Sequence, residues 1–423
     1  VSNSFSKEEK VAFDEMMVGF DDNLAVNKLV KKYVTDQAVM ERSNYQIWRP
    51  QPYIANSYSG IDMTGNFDDY TQLSVPASID TDRSVPWQMT ALELNDALQE
   101  KRLGEAAMQK LASDINVACL SRASYEGTLF VKRTGPATGF DDLAAVKSIM
   151  NSQGVSANRR RIGLSSADYT AMAGELSKAS RSFGNEISDA ALRRAYVGQF
   201  AGIDTYELDY ALRLPAAAAS GITMDTRTSA VNYYTPAATS TGVAGQSSNV
   251  DNRYQTITVS SNTNIAVGDA FTIAGVEAAH HLTKLSTGQL KTFRVMGKSG
   301  STSLVISPPI ISNQGGTDAE KQNINVVLTS TASNAALVFL NTTAAAMNPF
   351  WCEDAIEILP GRDSTPTDAG AAVMRATTGN GIEVVMSKQF NIVTKKTLFR
   401  VDTRFGTVCL QPEMCGIVMF SQA

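Results

Sequence analysis

Histidine is the commonest general base and metal ligand of enzymes, and this 423-residue chain holds only two, His280 and His281, side by side. That scarcity closes most hydrolytic and zinc chemistries. The four cysteines, Cys119, Cys352, Cys409 and Cys415, contain no Cys-x-x-Cys pair, so neither a zinc site nor a redox motif is legible. They lie in apolar runs and read as buried, reduced thiols, as expected of a chain folded where disulfides are rare. Acid pairs occur at Glu353-Asp354 and Asp68-Asp69. Carboxylates adjacent in sequence rarely face one substrate, so a glycosidase is not indicated. Gly163-Leu-Ser-Ser is not a Gly-x-Ser-x-Gly elbow, and no other is present. The sequence therefore predicts no catalytic residues, no metal and no cofactor.

The elements around these residues are of mixed type. Residues 5–34 carry Val11, Phe13, Met16, Met17, Phe20, Leu24 and Leu29 mostly three and four apart, with Asp14, Glu15, Asp21 and Asp22 between them. This spacing predicts an acidic amphipathic helix. Residues 38–88 change to a two-stranded excursion whose tip, Asn56 to Asp69, is rich in Ser, Gly, Asn and Asp. An isolated ribbon is marginal in water, so another subunit should lie beneath it. Thr90 with Glu93 three positions on reads as a capping box opening a helix to about Ala123. At 1.5 Å per residue that helix would span roughly 50 Å, a spine rather than a core element. Shorter helices are predicted at 141–152, 165–178 and 186–199.

After Leu214 the small-residue linker 215–221 leads into Val-, Ile- and Thr-rich strands at 256–259, 270–274, 291–296, 303–306 and 323–328. Turns at 267–269 and 298–301 separate them, and a second small-residue stretch, 341–346, closes the segment. The pattern predicts a small antiparallel barrel over 221–343, inserted into an α+β body that resumes at Asn348 and ends in strands at 381–388, 395–405, 407–410 and 417–420. No run of about 18 apolar residues suggests a membrane span, and the first ten residues have no apolar signal core. Formal net charge is −5, the wrong sign for a protein built to grip phosphate backbones.

Val250-Asp-Asn-Arg-Tyr254 running into Thr256-Ile-Thr-Val259, then Val267-Gly-Asp-x-Phe271-x-Ile273-Ala-Gly-Val276, resembles the insertion domain of Lederbergvirus-type coat proteins, those of the P-22-like short-tailed phages. Met40-x-Arg42-Ser-Asn-x-x-Ile47-Trp48 and Asn348-Pro-Phe-Trp-x-Glu353-Asp-Ala-Ile356 resemble the same family in the same order. Val408-Cys-Leu-Gln-Pro-Glu413 with Ile417-Val418 is similar to the final strands of the wider Hong Kong 97 (HK-97) coat fold.

The resemblance implies an HK-97-like α+β coat fold with the barrel inserted. Residues 1–30 would be an N-arm and 45–88 an extended loop overlapping a neighbouring subunit. Residues 31–44 and 89–135 would form the peripheral domain with its spine helix, 136–220 and 344–380 the axial domain, and 381–423 the last strands of both. It implies a major capsid protein forming hexamers and pentamers of itself in an icosahedral shell. Partners would be a scaffolding protein, a portal protein at one vertex and packaged double-stranded DNA, with no membrane, and assembly would occur in the bacterial host's cytoplasm.

On that reading Asp14 and Glu15 could face a basic scaffolding element, and Asp251, Asn252 and Arg253 could contact another capsomer. Gly60, Gly65, Pro215 and Gly221 are hinge candidates. The plain alternatives are a wet helix face, a turn with a solvated ion pair, and ordinary turns. Arg159-Arg160-Arg161 is either a solvated or interface face or a surface meeting packaged DNA weakly. A surface adhesin would explain the Ser/Thr-rich strands but not an α+β body with an acidic terminal helix.

Overall fold

The computed structural model describes residues 5, 7–33, 45–50, 54, 56–68, 70–90, 93, 97–157, 159–179, 198–224, 234–237, 239–241, 247–314, 316–329, 334–364, 370–379 and 381–423. The expected helix at 186–199 lies almost wholly outside these residues, as do Met40 to Asn44 and Asp69. The chain divides into two units, one of residues 1–45, 77–120 and 356–408, the other of 46–76, 121–355 and 409–423.

In the first unit the N-terminal helix, Lys7–Asn23, buries Phe13, Met16, Met17 and Phe20 and leaves Asp14 and Glu15 in solvent, as an apolar stripe of helical period should. It packs on the long helix Ala97–Ser121, where Gly104 makes room: a Cβ there would stand 2.5 Å from the Met16 sulfur. Asn116 of the long helix donates from Nδ2 to the Asn23 carbonyl at 2.8 Å and accepts from the Val26 amide at 3.2 Å. It thereby satisfies a carbonyl that the end of the first helix leaves open.

The long helix is described from Ala97 to Ser121, residues 91, 92 and 94–96 lying outside the described residues. The capping-box bonds between Thr90 and Glu93 form, at 2.7 and 3.4 Å, but Thr90 is the last residue of a strand, Thr81–Thr90. That strand pairs antiparallel with Lys396–Phe405 in an unbroken register, which fixes the backbone as extended up to the cap. Twenty-five helical residues follow from Ala97, about 38 Å. The sheet of this unit runs Lys31–Lys32, Ile356–Pro360, Lys396–Cys409, Glu383–Asn391, Ala372–Thr377, with Thr81–Thr90 also on the long central strand. The strands expected separately at 395–405 and 407–410 are thus one.

The second unit holds, among the described residues, two large sheets. One runs Leu129–Lys132, Cys415–Met419, Asn348–Cys352, Arg160–Ser165, Ile203–Leu208, Gln199–Phe200. The helices Phe140–Ser152 and Ser166–Ala179 accompany it, burying Leu143, Val146, Met150 and Met172. The other runs Thr223–Met224, Ala335–Phe339, Ala270–Ala279, Ser286–Ser299, Ser303–Ser307, Gln255–Thr258, with Val326–Leu328 also paired to Ala270–Ala279. A bridge between Met224 and Val259 joins the two ends of that order, so the sheet closes into a barrel and has no long free edge. Its interior is filled by Ile257, Val259, Phe271, Ile273, Phe293, Val295, Leu304 and Ile306. A separate two-stranded ribbon pairs Tyr45–Trp48 with Ser74–Ala77. The protein is α+β with an inserted antiparallel barrel.

Candidate functional site

Strand Ser286–Ser299 is the barrel's seat on the α+β body. Strand residues alternate between faces, so Phe293 and Val295 enter the barrel core while Thr292 and Arg294 point the other way. That other face is not solvent, because both side chains are 9 % exposed or less. Thr292 donates from its hydroxyl to the Thr128 carbonyl at 2.7 Å, and Arg294 from Nη2 to the Ser124 carbonyl at 2.9 Å. The π-helical turn Arg122–Glu126 thus turns a carbonyl toward the barrel. Burial pushes the Arg294 guanidinium down to about 10, against the pull of Asp269, and its Nε and Nη1 make no hydrogen bond.

Lys291, 1 % exposed, completes the seat. Its ammonium donates to Glu413 Oε1 at 2.6 Å and to Gln153 Oε1 at 2.7 Å. Glu413 sits in the short turn Pro412–Met414 between the last two strands, and Gln153 ends the helix Phe140–Ser152. Asn325 donates to the same Glu413 oxygen at 3.2 Å, and His281 Nε2 lies 3.6 Å from it. Burial raises a carboxyl, but Lys291 and then His281 outweigh it and hold Glu413 down to about 2. Burial, opposed by Glu413 and aided by Lys291, Lys284 and His280, drives His281 down to about 3, so near neutral pH the ring is uncharged. A buried pair is tolerable only when its remaining donors and acceptors are met, and here two amides and the ring surround it.

The expected contact residues Asp251, Asn252 and Arg253 lie beside this seat. Arg253 bonds Asp251 at 2.8 Å and the Cys409 carbonyl at 2.9 Å, with Glu126 at 3.5 Å. Burial opposes its charge, but the Asp251 bond and nearby acids raise its pKa. Asn252, wholly buried, accepts from Tyr234 and Ala237 and donates to the Ala237 carbonyl, while its own carbonyl takes Arg49 at 2.7 Å. Asn252 and Arg253 are therefore occupied within the chain, and of the three Asp251 keeps the most exposed side chain, at 25 %. The Thr71 amide meets Gln322 Oε1 at 2.9 Å. The barrel thus holds the extended loop by both legs.

The linkers are stapled by Asn341. Its Nδ2 donates to the Pro215 carbonyl at 3.0 Å and to Asp269 at 2.9 Å, and its carbonyl accepts from Ala217 at 2.8 Å. Pro215 is thus held, whereas Gly221, Gly60 and Gly65 have positive φ and no atom near a would-be Cβ. In the N-terminal helix Asp14 is exposed, and Glu15 pairs with Lys101. The triple arginine is largely engaged within the chain. Arg160 is buried on Asn151 and two carbonyls, and Arg159 and Arg161 share Glu353 at 2.9 and 3.0 Å. Asp68 accepts from Asn56 and Tyr58. Among the described residues no His, Cys, Asp and Glu cluster could hold a metal.

The seat itself escapes sequence reading. Arg294 looks like the wet side of an alternating strand, Lys291 like a polar residue ahead of its apolar run and Glu413 like a turn, and only the charges beside otherwise apolar runs hint otherwise.

A family model described as P22 coat protein, gene protein 5, matches residues 1–421. The structure is similar to a chain of Mycobacterium phage Che8 (9 % identity, 92 % of this chain and 89 % of that one, TM-score 0.43). It is also similar to the capsid of cyanophage P-SCSP1u (10 % identity, 93 % and 86 %, TM-score 0.43). The CUS-3 coat protein I-domain matches at 36 % identity over 29 % of this chain and 98 % of that one, with a TM-score of 0.22.

Proposed function

The chain belongs to the P22 coat protein family, and from that premise we propose how it builds and braces a shell. It is a major capsid protein, a structural subunit and not an enzyme, and copies of it form a phage capsid. The finer reading is that copies assemble in the host cytoplasm, around a scaffolding protein and with a portal at one vertex, into an icosahedral procapsid that receives double-stranded DNA. The shell is stable because many weak, repeated contacts are summed by symmetry.

The observation that carries the mechanical part is the barrel's seat. Thr292, Arg294 and Lys291 lock the insertion to the body, and Asn252 and Gln322 lock it to both legs of the extended loop. On this reading the barrel braces the subunit while the loop at 45–88 reaches a neighbour. Residues 1–30 are the N-arm, with Asp14 the acid left open for a basic scaffold element. Asp251 is the candidate for contact with another capsomer. Residues 89–135 belong to the peripheral domain and 136–220 with 344–380 to the axial one. Gly60, Gly65 and Gly221 supply the pivots for expansion, while Pro215 marks the fixed end of its linker.

Negative-stain electron microscopy of the protein, expressed with and without its scaffolding protein, tests this. Uniform shells with scaffold and aberrant particles without it are expected. A small monodisperse oligomer in both preparations would sink the assembly reading. Within that assay Asp14→Lys should weaken scaffold-dependent assembly while the monomer stays folded; unchanged assembly discards the scaffold contact.

A further inference from the structure

Cys409 ends the strand Lys396–Cys409 and Cys415 begins Cys415–Met419, with the turn Pro412–Met414 between them. Their sulfurs stand 3.5 Å apart, and both side chains are fully buried. The turn that brings them together is fixed by the Met414 amide on the Gln411 carbonyl at 3.0 Å and the Leu410 amide on the Ala355 carbonyl at 2.8 Å. The same turn carries Glu413, the acid that holds Lys291 of the barrel. All four cysteines are free thiols in the structure.

We propose that Cys409 and Cys415 are a latent dithiol that a hydroperoxide closes to a disulfide, covalently fixing the turn on which the barrel is seated. The chemistry rests on the geometry alone; only its occasion, release of the particle from a reducing cytoplasm, rests on the coat reading. The two sulfurs are in contact, so either can make the first attack and the other resolves it, here Cys409 and then Cys415. The Cys409 thiolate attacks one peroxide oxygen, the O–O bond breaks, and a sulfenic acid forms as the other oxygen leaves with a proton as water or alcohol. The Cys415 sulfur then attacks the sulfenic sulfur. The S–S bond forms, the S–O bond breaks, and the departing hydroxide takes the Cys415 proton as a second water. Two thiols lose two electrons and the peroxide gains them. A neighbouring thiol at contact distance outruns any thiol that must find its partner by diffusion. Burial slows the first step, so the pair stays reduced until exposed to oxidant for long times.

Trypsin cuts after Arg404 and nowhere between Phe405 and Ala423, so both cysteines fall in one peptide, while Cys119 and Cys352 fall in others. Purified full-length protein is treated with hydrogen peroxide, unfolded in N-ethylmaleimide, and digested. The expected result is a 405–423 peptide two hydrogens lighter and unalkylated, restored by dithiothreitol. Cys415→Ser should never yield the lighter peptide; if that variant fails to fold, the wild-type map decides alone. A 405–423 peptide still carrying two alkylated thiols after Cys119 has reacted overturns the proposal, as does pairing with another peptide. Microscopy of the same sample judges the coat reading separately, since absence of shells would leave the peptide result standing.

Discussion

The barrel's seat and the tip of the extended loop contrast in how they treat their surfaces. At the seat, charged side chains are buried and partnered across long sequence separations, as Lys291 meets Glu413 and Gln153. At the tip, apolar side chains face water: Ile61 is fully exposed and Phe67 is 87 % exposed. The bonds there are local, such as the Thr64 amide on Asp62 at 2.9 Å and Asn56 on Asp68 at 2.8 Å. Exposed apolar clusters mark interaction surfaces. One region is finished inside the subunit, and the other, on the proposed reading, is completed by another chain. Mutations at the first should therefore be felt by the isolated monomer, and mutations at the second only by the assembly.

The largest effect is expected at Glu413. Glu413→Ala leaves the Lys291 ammonium buried without its counter-charge, which costs about 3–5 kcal/mol of stability. Chemical denaturation of the monomer measures it. A loss below about 1 kcal/mol would mean that water reaches the seat, and the contrast with the loop would fail.

Acid should loosen the same seat. His281 is pushed from 6.5 to about 3 by burial. Between those values the unfolded chain binds a proton at this ring and the folded one does not. Stability therefore falls as pH drops below 6.5, by about 1.4 kcal/mol per pH unit, and levels off near pH 3. Glu413, depressed from 4.5 to about 2, acts in the same direction at lower pH, since its contribution is full above 4.5 and is lost as pH falls through 2. The expected loss between pH 6.5 and 5 is about 2 kcal/mol, and it should vanish in His281→Leu. An equal slope in that variant would move the effect to other groups. Smaller again is Gly221→Ala. At φ +68 with open space around it the substitution meets no clash, so only left-handed strain remains, about 1 kcal/mol.

The same contrast decides what could be read from the sequence. The barrel's strands were legible because Thr256-Ile-Thr-Val259 and Lys291-Thr-Phe-Arg-Val-Met296 alternate at the strand period. Alternation says that two faces differ, but not that the polar one is wet, so Thr292 and Arg294 were hidden in plain pattern, while Lys291 shares the parity of Phe293 and is not assigned to the polar face at all. Asn252 and Arg253 misled in the same way, since a polar turn is normally solvated and this one is enclosed. Strand Thr81–Thr90 was missed because Asp82, Arg83 and Pro86 break its pattern and its partner lies about 300 residues away. The capping box at Thr90 and Glu93 was legible because its bonds are local, and they form. The amphipathic first helix and the small-residue linkers were legible because their signals are wholly local.

Ile61→Ser tests the other half of the contrast with the smallest expected effect on the monomer. The side chain touches so little of its own subunit that removing it should change monomer stability by less than about 0.5 kcal/mol, the range of ordinary surface substitutions. If the tip is completed by a neighbour, the same substitution removes apolar area buried at every copy of a repeated interface. Even about 1 kcal/mol lost per contact, the order of one exposed aliphatic group, is multiplied by the symmetry of the shell. Assembly yield by sedimentation should then fall steeply while the monomer's denaturation midpoint stays fixed. Equal loss in both would show that the loop folds on its own subunit, and normal assembly would show that its apolar tip meets nothing.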